Sequence, residues 1–527
     1  MKAARAVLMV LAAWALLSPA WAMTRRLPYP YDLEWLESGM LCHALQIDQG
    51  RPLYGPPSVR FVAYPYTPLY PMVVAGLGRV FGIGYALARA VSVLAFAAAL
   101  LLASAFVRRE GGRPLFALAT VAIVTAAYAP TGAWFDLARV DELFLALTAA
   151  GVLAAWWRPR SAVGAGLAGV LLVAAFFTKQ TAAPFIATVG VVLLFTRRHT
   201  VPAYLAGLTL AAVPAFLWAH LSSGGWFWTY IFGLHQRHEF DASRAFLWTP
   251  LRVALLTGPG LVLVPWALAR RRSPAVVYTA AVAAAAVVAS SLAAGLDWSY
   301  FNVLIPGVFF TALAVGVAAS ALDGSATPGA RADPRVAWLL AGSIASAPGG
   351  LVALMARMMP EDARVALEVP LGYDLRSFVP SASDRAKGDA LIARLRATPG
   401  EVFVPFHSFY GHLAGKRTYL HYASLAELHL AGLGPPRDLV DAIRGRAFAL
   451  VVLDVERDRL KALDPAPGGL EAEAFAQFPR LSGNYEVTEH IDGPRVFSGG
   501  DFLPAWLARP RRPPDVGAQE HLISSIP

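Results

Sequence analysis

Long apolar runs separated by short polar segments fill the first two thirds of the chain. A helix needs roughly 20 apolar residues to cross a bilayer. On that basis the pattern predicts about eleven membrane spans, several of them short. They cover residues 3–22, 85–107, 114–130, 142–157, 162–177, 181–196, 201–221, 250–269, 275–294, 300–320 and 336–356.

Arginine clusters mark alternate loops between these runs. Examples are residues 108–113, 197–198 and 270–272. Loops rich in arginine and lysine stay in the cytoplasm. We therefore expect a multi-pass protein of the plasma (inner) membrane. Its N-terminus is expected to be cytoplasmic, and the region after the last span extracytoplasmic.

The first apolar run has two interpretations. Ala20-Trp21-Ala22 resembles a signal-peptidase site, so residues 1–22 are either cleaved or kept as an anchor. We expect a retained anchor, because it would hold the following polar segment at the membrane surface.

Residues 23–84 form a long polar segment, which the topology places outside as the first outer loop. Apolar residues at helical spacing from Leu33 to Ile47 predict an amphipathic helix along the membrane interface. A second apolar stretch, from Pro68 to Phe81, is too short to span and predicts another interfacial helix.

The composition changes to that of a soluble domain after residue 356. Apolar runs at 401–405 and 447–454 predict buried strands, and residues 384–397 and 436–446 predict helices. Residues 485–487 and 495–497 are expected to close the sheet as a β-pair. The alternation indicates a small extracytoplasmic α/β domain over residues 357–503. A Pro- and Arg-rich tail, 504–527, is predicted to be poorly ordered.

Composition supports a membrane domain over residues 1–356. Charged residues make up 15% of the chain, against roughly 25% in soluble domains. The net charge of +10 could indicate a nucleic-acid partner, but the cations lie beside apolar runs. We therefore expect membrane lipids, and no nucleic acid, as partners. The single cysteine, Cys42, cannot form an internal disulfide.

Acidic residues gather in the first outer loop. Asp32 precedes the first interfacial helix, where its carboxylate either caps the helix or acts as a general base toward an acceptor. Glu34 and Glu37 are either solvated or close to that base. A carboxylate near the base would raise its pKa or bind a divalent cation, so a divalent cation stays open as a cofactor.

A second polar cluster, residues 136–142, lies at the outer mouth of a span. Arg139 either pairs with Asp136 or Asp141, or it contacts a phosphate while Asp141 assists at the site. Lys179 and Arg89 either snorkel to the interface or hold a phosphate. The expected site then comprises Asp32, Glu34 and Asp141 as catalytic residues, and Arg89, Arg139, Lys179, Gln180, Tyr66, Tyr70 and Asn302 as substrate-binding residues.

The order of these motifs resembles the GT-C superfamily of polytopic glycosyltransferases, and most closely its protein O-mannosyltransferases and aminoarabinose transferases (glycosyltransferase family 39-like). Four features carry the resemblance: Asp32-Leu-Glu34 with Pro68–Pro71, Arg89 at a span start, Arg139-Val-Asp141, and the Thr178–Gln180 turn. Relatives often have a basic residue before the Pro-Leu-Tyr helix, where this chain has Tyr66-Thr67.

The resemblance implies an inverting transfer of sugar from a polyprenyl-phosphate donor to an extracytoplasmic lipid, glycan or protein acceptor. The family's base is an acid of the first outer loop, which corresponds to Asp32. A polytopic transporter or lipid flippase is the alternative, but it should show paired repeats and charges near span centres. A non-enzymatic scaffold is a third option, which the acids of the first loop disfavour.

Overall fold

A computed structural model of the chain describes residues 2–157, 161–271, 273–296, 299–323, 333–347, 373–456, 478, 480–500 and 502–511. The chain divides into two compact units. The membrane unit comprises residues 1–55, 63–381 and 497–499, and the α/β unit comprises residues 56–62, 382–496 and 500–527. The predicted domain boundary at residue 357 lies outside the described residues.

The membrane unit consists of helices. In chain order they are α1 (Lys2–Arg26), α2 (Glu37–Asp48), α3 (Leu69–Phe81), α4 (Tyr85–Arg109), α5 (Pro114–Ala126), α6 (Asp141–Trp157), α7 (Ala162–Phe176), α8 (Ala183–Thr196), α9 (Val201–Ser223), the turn α10 (Trp226–Trp228), α11 (Thr249–Thr257), α12 (Leu263–Arg271), α13 (Pro274–Gly295), α14 (Ile305–Asp323) and α15 (Pro334–Ser346).

Six helical segments among the described residues are long and apolar enough to cross a membrane. They are α1, α4, α9, α11–α12, α13 and α14, and α14 is almost wholly buried at the centre of the packing. Shorter helices occupy the other predicted spans, so the prediction of a multi-pass membrane protein is confirmed. Within the span 336–356, residues 348–356 lie outside the described residues.

Burial of α1 follows its sequence. Ala4, Leu8, Ala12 and Ala15 recur every three or four residues, lie on one face and are buried. That face packs against α5 and α15. Small side chains let membrane helices approach closely, which explains the alanines.

The two helices predicted in the first polar loop are present, but α2 differs from the expectation. It starts at Glu37, so Leu33 and Leu36 precede it. Every residue from Glu37 to Leu45 is buried, including the polar ones. The prediction that α2 is amphipathic is therefore wrong, because these polar residues are buried inside the protein. Its position along the membrane interface stays a prediction.

The α/β unit has a four-stranded sheet in the order β1-β2-β4-β3. Its strands are β1 (Glu401–Phe403), β2 (Phe448–Glu456), β3 (Tyr485–His490) and β4 (Phe502–Pro510). Strands β1 and β2 are parallel, and β4 is antiparallel to both β2 and β3. Its helices are α16 (Ala382–Ala397), α17 (Phe409–Leu413), α18 (Tyr422–Leu430), α19 (Arg437–Arg444) and α20 (Leu481–Asn484).

The predicted α/β class is confirmed, with two corrections to its C-terminal part. The partner of β3 is β4 and not residues 495–497, which form no strand. The tail predicted to be poorly ordered from residue 504 instead continues β4 to Pro510, where the backbone bonds of the sheet hold it. Residues 512–527 lie outside the described residues.

Candidate active site

Arg89, in the second turn of α4, anchors the start of the first polar loop. Its guanidinium is fully buried and makes five hydrogen bonds. Two go to the Glu37 carboxylate at 2.9 and 2.6 Å. The others go to the backbone carbonyls of Arg26, Tyr29 and Tyr31. A phosphate contact, as predicted for Arg89, would require it to give up one of these bonds.

Glu37, the first residue of α2, is the ion-pair partner of Arg89, and we call the two residues the Arg89–Glu37 clamp. Besides Arg89, its carboxylate accepts the backbone N–H of Leu33 and of Ala138, both at 2.7 Å. Burial alone would raise the pKa of Glu37, but Arg89 and these N–H groups outweigh it and lower the pKa below its ordinary value. Glu37 is therefore an ionised positioning residue and not a solvated one.

A second buried arginine joins the end of α1 to the segment before α6. The Nε atom of Arg26 donates to Asp136 at 2.8 Å, and both side chains are fully buried. Tyr128 donates to the other Asp136 oxygen at 3.0 Å. The predicted pairing of Asp136 with Arg139 is therefore replaced by a pairing with Arg26. Sequence reasoning missed Arg26, which looked like an ordinary basic flank of a span.

Asp32 lies just before α2 and is buried. Its two carboxylate oxygens accept the backbone N–H of Ser38 at 2.9 Å and the Ser38 hydroxyl at 2.6 Å. The Ser38 hydroxyl also lies 2.8 Å from the Tyr85 hydroxyl. Asp32 thus satisfies a free N–H in the first turn of the helix, which is the capping role, although Leu36 holds the N-cap position.

Glu34 and Arg139 form a buried ion pair beside Asp32. An Arg139 Nη atom lies 3.2 Å from one Glu34 oxygen, and the other Nη donates to the Tyr66 hydroxyl at 2.9 Å. Glu34 Oε1 and Arg139 Nε are both buried without a hydrogen-bond partner among the described residues. Such orphaned polar atoms are costly, so each marks a place that a ligand can satisfy.

A fourth ion pair lies at the start of α6. Asp141 accepts Lys179 Nζ at 2.6 Å and Asn302 Nδ2 at 3.0 Å on one oxygen, and the Trp134 indole at 3.2 Å on the other. Arg139 interacts electrostatically with Asp141 as well. The predicted residues Arg139, Asp141, Lys179 and Asn302 are therefore brought together, and Trp134 is an addition that the sequence did not single out.

Two of the predicted substrate residues have structural bonds. The Tyr70 hydroxyl is buried and donates to the Ala88 carbonyl at 2.9 Å, which joins α3 to α4. Gln180 donates to the Pro65 carbonyl at 2.8 Å, next to Tyr66. The Tyr70 hydroxyl is therefore used in helix packing, whereas Gln180 is bonded next to Tyr66, a partner of Arg139.

No group of three His, Cys, Asp or Glu side chains among the described residues could hold a metal ion. This includes the segment from His235 to Asp241. A divalent cation at the site stays a prediction.

An apolar cavity of about 450 Å³ lies between α7, α8 and α9. Phe176, Ala187, Ala212 and Phe216 are among its lining residues. Phe176 ends α7, three residues before Lys179. Two of the three helices around the cavity, α7 and α8, are joined by the turn that carries Lys179.

His43 in α2 makes the stability of the site sensitive to acid. The Tyr64 N–H donates to His43 Nε2 at 2.7 Å, so the proton is on Nδ1, which lies 2.6 Å from the Gly39 carbonyl. Burial lowers the pKa of His43 from 6.5 to about 4. Below pH 6.5 the unfolded chain therefore binds a proton at His43, whereas the folded protein does not bind this proton until the pH approaches 4.

We predict that stability is fully present above pH 6.5 and falls as the pH drops toward 4, by about a factor of ten in the folding equilibrium per pH unit. Thermal unfolding of the protein in nanodiscs between pH 7.5 and 4.5 measures this. The variant His43→Gln should be less stable at pH 7.5 and should lose less on acidification. An equal loss in both proteins would show that His43 is not the titrating group.

Comparison with known proteins identifies the fold. No family model matches the chain, and no curated protein matches it. The chain is similar to two solved structures of ArnT from Cupriavidus metallidurans. The TM-score is 0.54 to the complex with undecaprenyl phosphate and 0.56 to the apo state, at 13% identity, over 95% of this chain and 97% of the other. The chain therefore has the same type of fold as these two structures, and the predicted class, a helical membrane protein with a small α/β domain, is confirmed.

Proposed function

We propose that the protein transfers a sugar from a polyprenyl-phosphate-linked donor to an acceptor on the extracytoplasmic side of the membrane. The observation that carries this proposal is the buried Glu34–Arg139 pair. Each member has one polar atom with no partner in the described part of the chain. A proton acceptor and an anion-binding cation therefore stand side by side, and glycosyl transfer from a phosphate donor needs both.

Glu34 is the acid best suited to take the acceptor's proton. Burial raises the pKa of Glu34 to about 8, since the lowering effect of Arg139 only partly offsets the cost of burying the charge. A base with a pKa near the working pH is the most effective. Asp32, the base implied by the family resemblance, is the second candidate, and its bonds to Ser38 hold it in place.

The leaving group requires positive charge. As the acceptor oxygen bonds to the anomeric carbon, the bond from that carbon to the phosphate oxygen breaks and leaves its electron pair on the phosphate. The acceptor's proton passes to the carboxylate. We assign Arg139 Nε and the two remaining N–H groups of Lys179 to the phosphate, because fixed cations stabilise the charge that develops there.

The apolar cavity between α7, α8 and α9 fits the polyprenyl chain of the donor. It is lined by aliphatic and aromatic side chains and lies next to Lys179 in the chain. The structure of ArnT with undecaprenyl phosphate supports a donor of this class. The likeness to a glycosyltransferase fold also favours an enzyme over the transporter alternative.

The donor class is tested by comparing two kinds of sugar donor. Purified protein in nanodiscs would be given one labelled sugar carried either on a polyprenyl phosphate or on a nucleoside diphosphate. Transfer only from the lipid-linked sugar is the expected result. Transfer from the nucleotide sugar, or transport of the lipid without any new glycosidic bond, would contradict the proposal.

Filling the apolar cavity between α7, α8 and α9 is expected to weaken the binding of a long-chain donor. Replacing Ala212 by tryptophan should fill it and raise the KM for a long-chain donor by about tenfold, since roughly 1.4 kcal/mol of apolar contact is lost. Donors with two isoprene units should be unaffected. Leu210→Trp is the matched control, because Leu210 lies on the same helix and is 75% exposed. Equal effects of Ala212→Trp on both donors would place the prenyl chain elsewhere.

A further inference from the structure

Residues Phe497 to Gly499 belong to the membrane unit although they come from far along the chain. The N–H groups of Phe497 and Ser498 both donate to the Leu33 carbonyl, at 2.8 and 2.9 Å. The Ser498 hydroxyl accepts from Arg26 at 3.2 Å. Phe497 packs edge-on against Tyr29, with ring centres 5.8 Å apart. These contacts fix the segment against the loop that carries Asp32 and Glu34.

Gly499 ends this segment directly over Glu34. A Cβ atom at Gly499 would lie 3.1 Å from Glu34 Cγ and 3.3 Å from Glu34 Oε1, the oxygen that has no partner in the described chain. It would also lie 3.6 Å from the Trp134 ring. Gly499 itself is exposed, whereas Glu34 and Trp134 are buried.

We propose that Gly499 is a positioning residue for the transfer reaction: its missing side chain leaves the room in which the Glu34 carboxylate stands beside Arg139. This inference rests on the proposed function of Glu34. Contacts of 3.1–3.3 Å are tighter than ordinary carbon packing, so a methyl group would displace the Glu34 side chain by a few tenths of an ångström. Acid–base catalysis depends on such placement, and an error of about 1 Å can cost 10²-fold in rate.

The backbone of Gly499 also has a φ of +73°, which strains other residues. The test therefore needs a control with the same strain and no neighbour. Gly432 has a φ of +72°, is exposed, and nothing lies within 4 Å of where its Cβ would be. Gly432→Ala reproduces the backbone cost without approaching Glu34.

We expect Gly499→Ala to lower kcat by about tenfold, with the KM for the donor little changed, and Gly432→Ala to leave kcat unchanged. In a Glu34→Gln background the methyl should cost nothing further, because the group it displaces no longer takes a proton. Gly499→Asn places a Cβ at the same point and tolerates positive φ better, so it should behave alike if Gly499→Ala fails to fold.

Infrared titration of the Glu34 carboxyl band, assigned by its loss in Glu34→Gln, gives a second measurement that needs no turnover. The midpoint should shift in Gly499→Ala, because displacing the carboxylate changes its distance to Arg139, and stay in place in Gly432→Ala. Unchanged rate and midpoint in a folded Gly499→Ala protein would overturn the inference. A shifted midpoint in a protein that transfers no sugar would refute the proposed function and leave the placement of Glu34 standing.

Discussion

Replacing Glu34 by glutamine is expected to reduce sugar transfer by about 10²–10⁴-fold, the usual contribution of a general base. Glutamine keeps the size of the side chain and can still bond Arg139 through its carbonyl oxygen, so the fold should survive. Donor binding should persist, because Arg139 and Lys179 keep their charges. Initial transfer rates at saturating donor measure the effect.

The dependence of the rate on pH distinguishes Glu34 from Asp32. A base must be ionised, and burial raises the pKa of Glu34 to about 8. The wild-type rate should therefore increase about tenfold per pH unit up to pH 8 and level off above it. This limb should vanish in Glu34→Gln and remain in Asp32→Asn. A variant Asp32→Asn that is inactive, beside an active Glu34→Gln, would transfer the role of base to Asp32.

Loss of Arg89 is expected to destabilise the membrane unit by about 3–5 kcal/mol, the typical cost of breaking a buried ion pair from one side. In Arg89→Gln, Glu37 would keep a buried charge with only two backbone N–H groups for partners. The carbonyls of Arg26, Tyr29 and Tyr31 would lose their shared donor. Thermal unfolding in nanodiscs measures the loss.

The exposed pair Arg79–Asp48 is the matched control for this prediction. Its atoms lie 3.5 Å apart, and the side chains are 67% and 38% exposed. Solvent screening leaves such pairs roughly 0–1 kcal/mol, so Arg79→Gln should barely shift the unfolding temperature. The double variant Arg89→Met/Glu37→Leu should recover part of the stability lost in Arg89→Gln. Similar losses of stability in Arg89→Gln and Arg79→Gln would contradict the stabilising role of the Arg89–Glu37 clamp.

The length of the apolar runs and the charged residues at their ends predicted much of the fold. The positions of the spans follow from composition, because a helix is the only structure that satisfies its backbone within a single segment of lipid-facing chain. The α/β unit could be recognised from its two buried strands. The partner of β3 could not, since β4 pairs with it across an intervening loop and its sequence, rich in proline and arginine, looked disordered.

The sequence predicted most residues of the candidate site, but it did not predict which acid pairs with which cation. Asp32, Glu34, Arg139, Asp141 and Lys179 were all singled out, and the structure places them in one region. Which acid meets which cation depends on contacts between distant segments, such as Arg26 with Asp136, 110 positions apart. Local spacing carries no such information. For the same reason Arg89 looked like a phosphate ligand, although the fold uses it to hold the loop.

Glu37 illustrates a general difficulty. By sequence it resembles an exposed acid at the start of a helix, as Glu34 does. The structure gives Glu37 four hydrogen bonds, and it gives Glu34 an ion pair with one oxygen that lacks a hydrogen-bond partner among the described residues. One carboxylate is thereby fixed as ionised, and the other is left able to exchange a proton. Environments that push two neighbouring acids apart in pKa are typical of catalytic sites.

The most direct measurement is the initial rate of labelled-sugar transfer from a polyprenyl phosphate by purified protein in nanodiscs, compared among wild type, Asp32→Asn and Glu34→Gln. We expect clear transfer by the wild type, near-background transfer by Glu34→Gln, and a smaller loss in Asp32→Asn. A wild-type rate no higher than that of empty nanodiscs would contradict the proposed function, and wild-type rates in both variants would contradict the role of these acids.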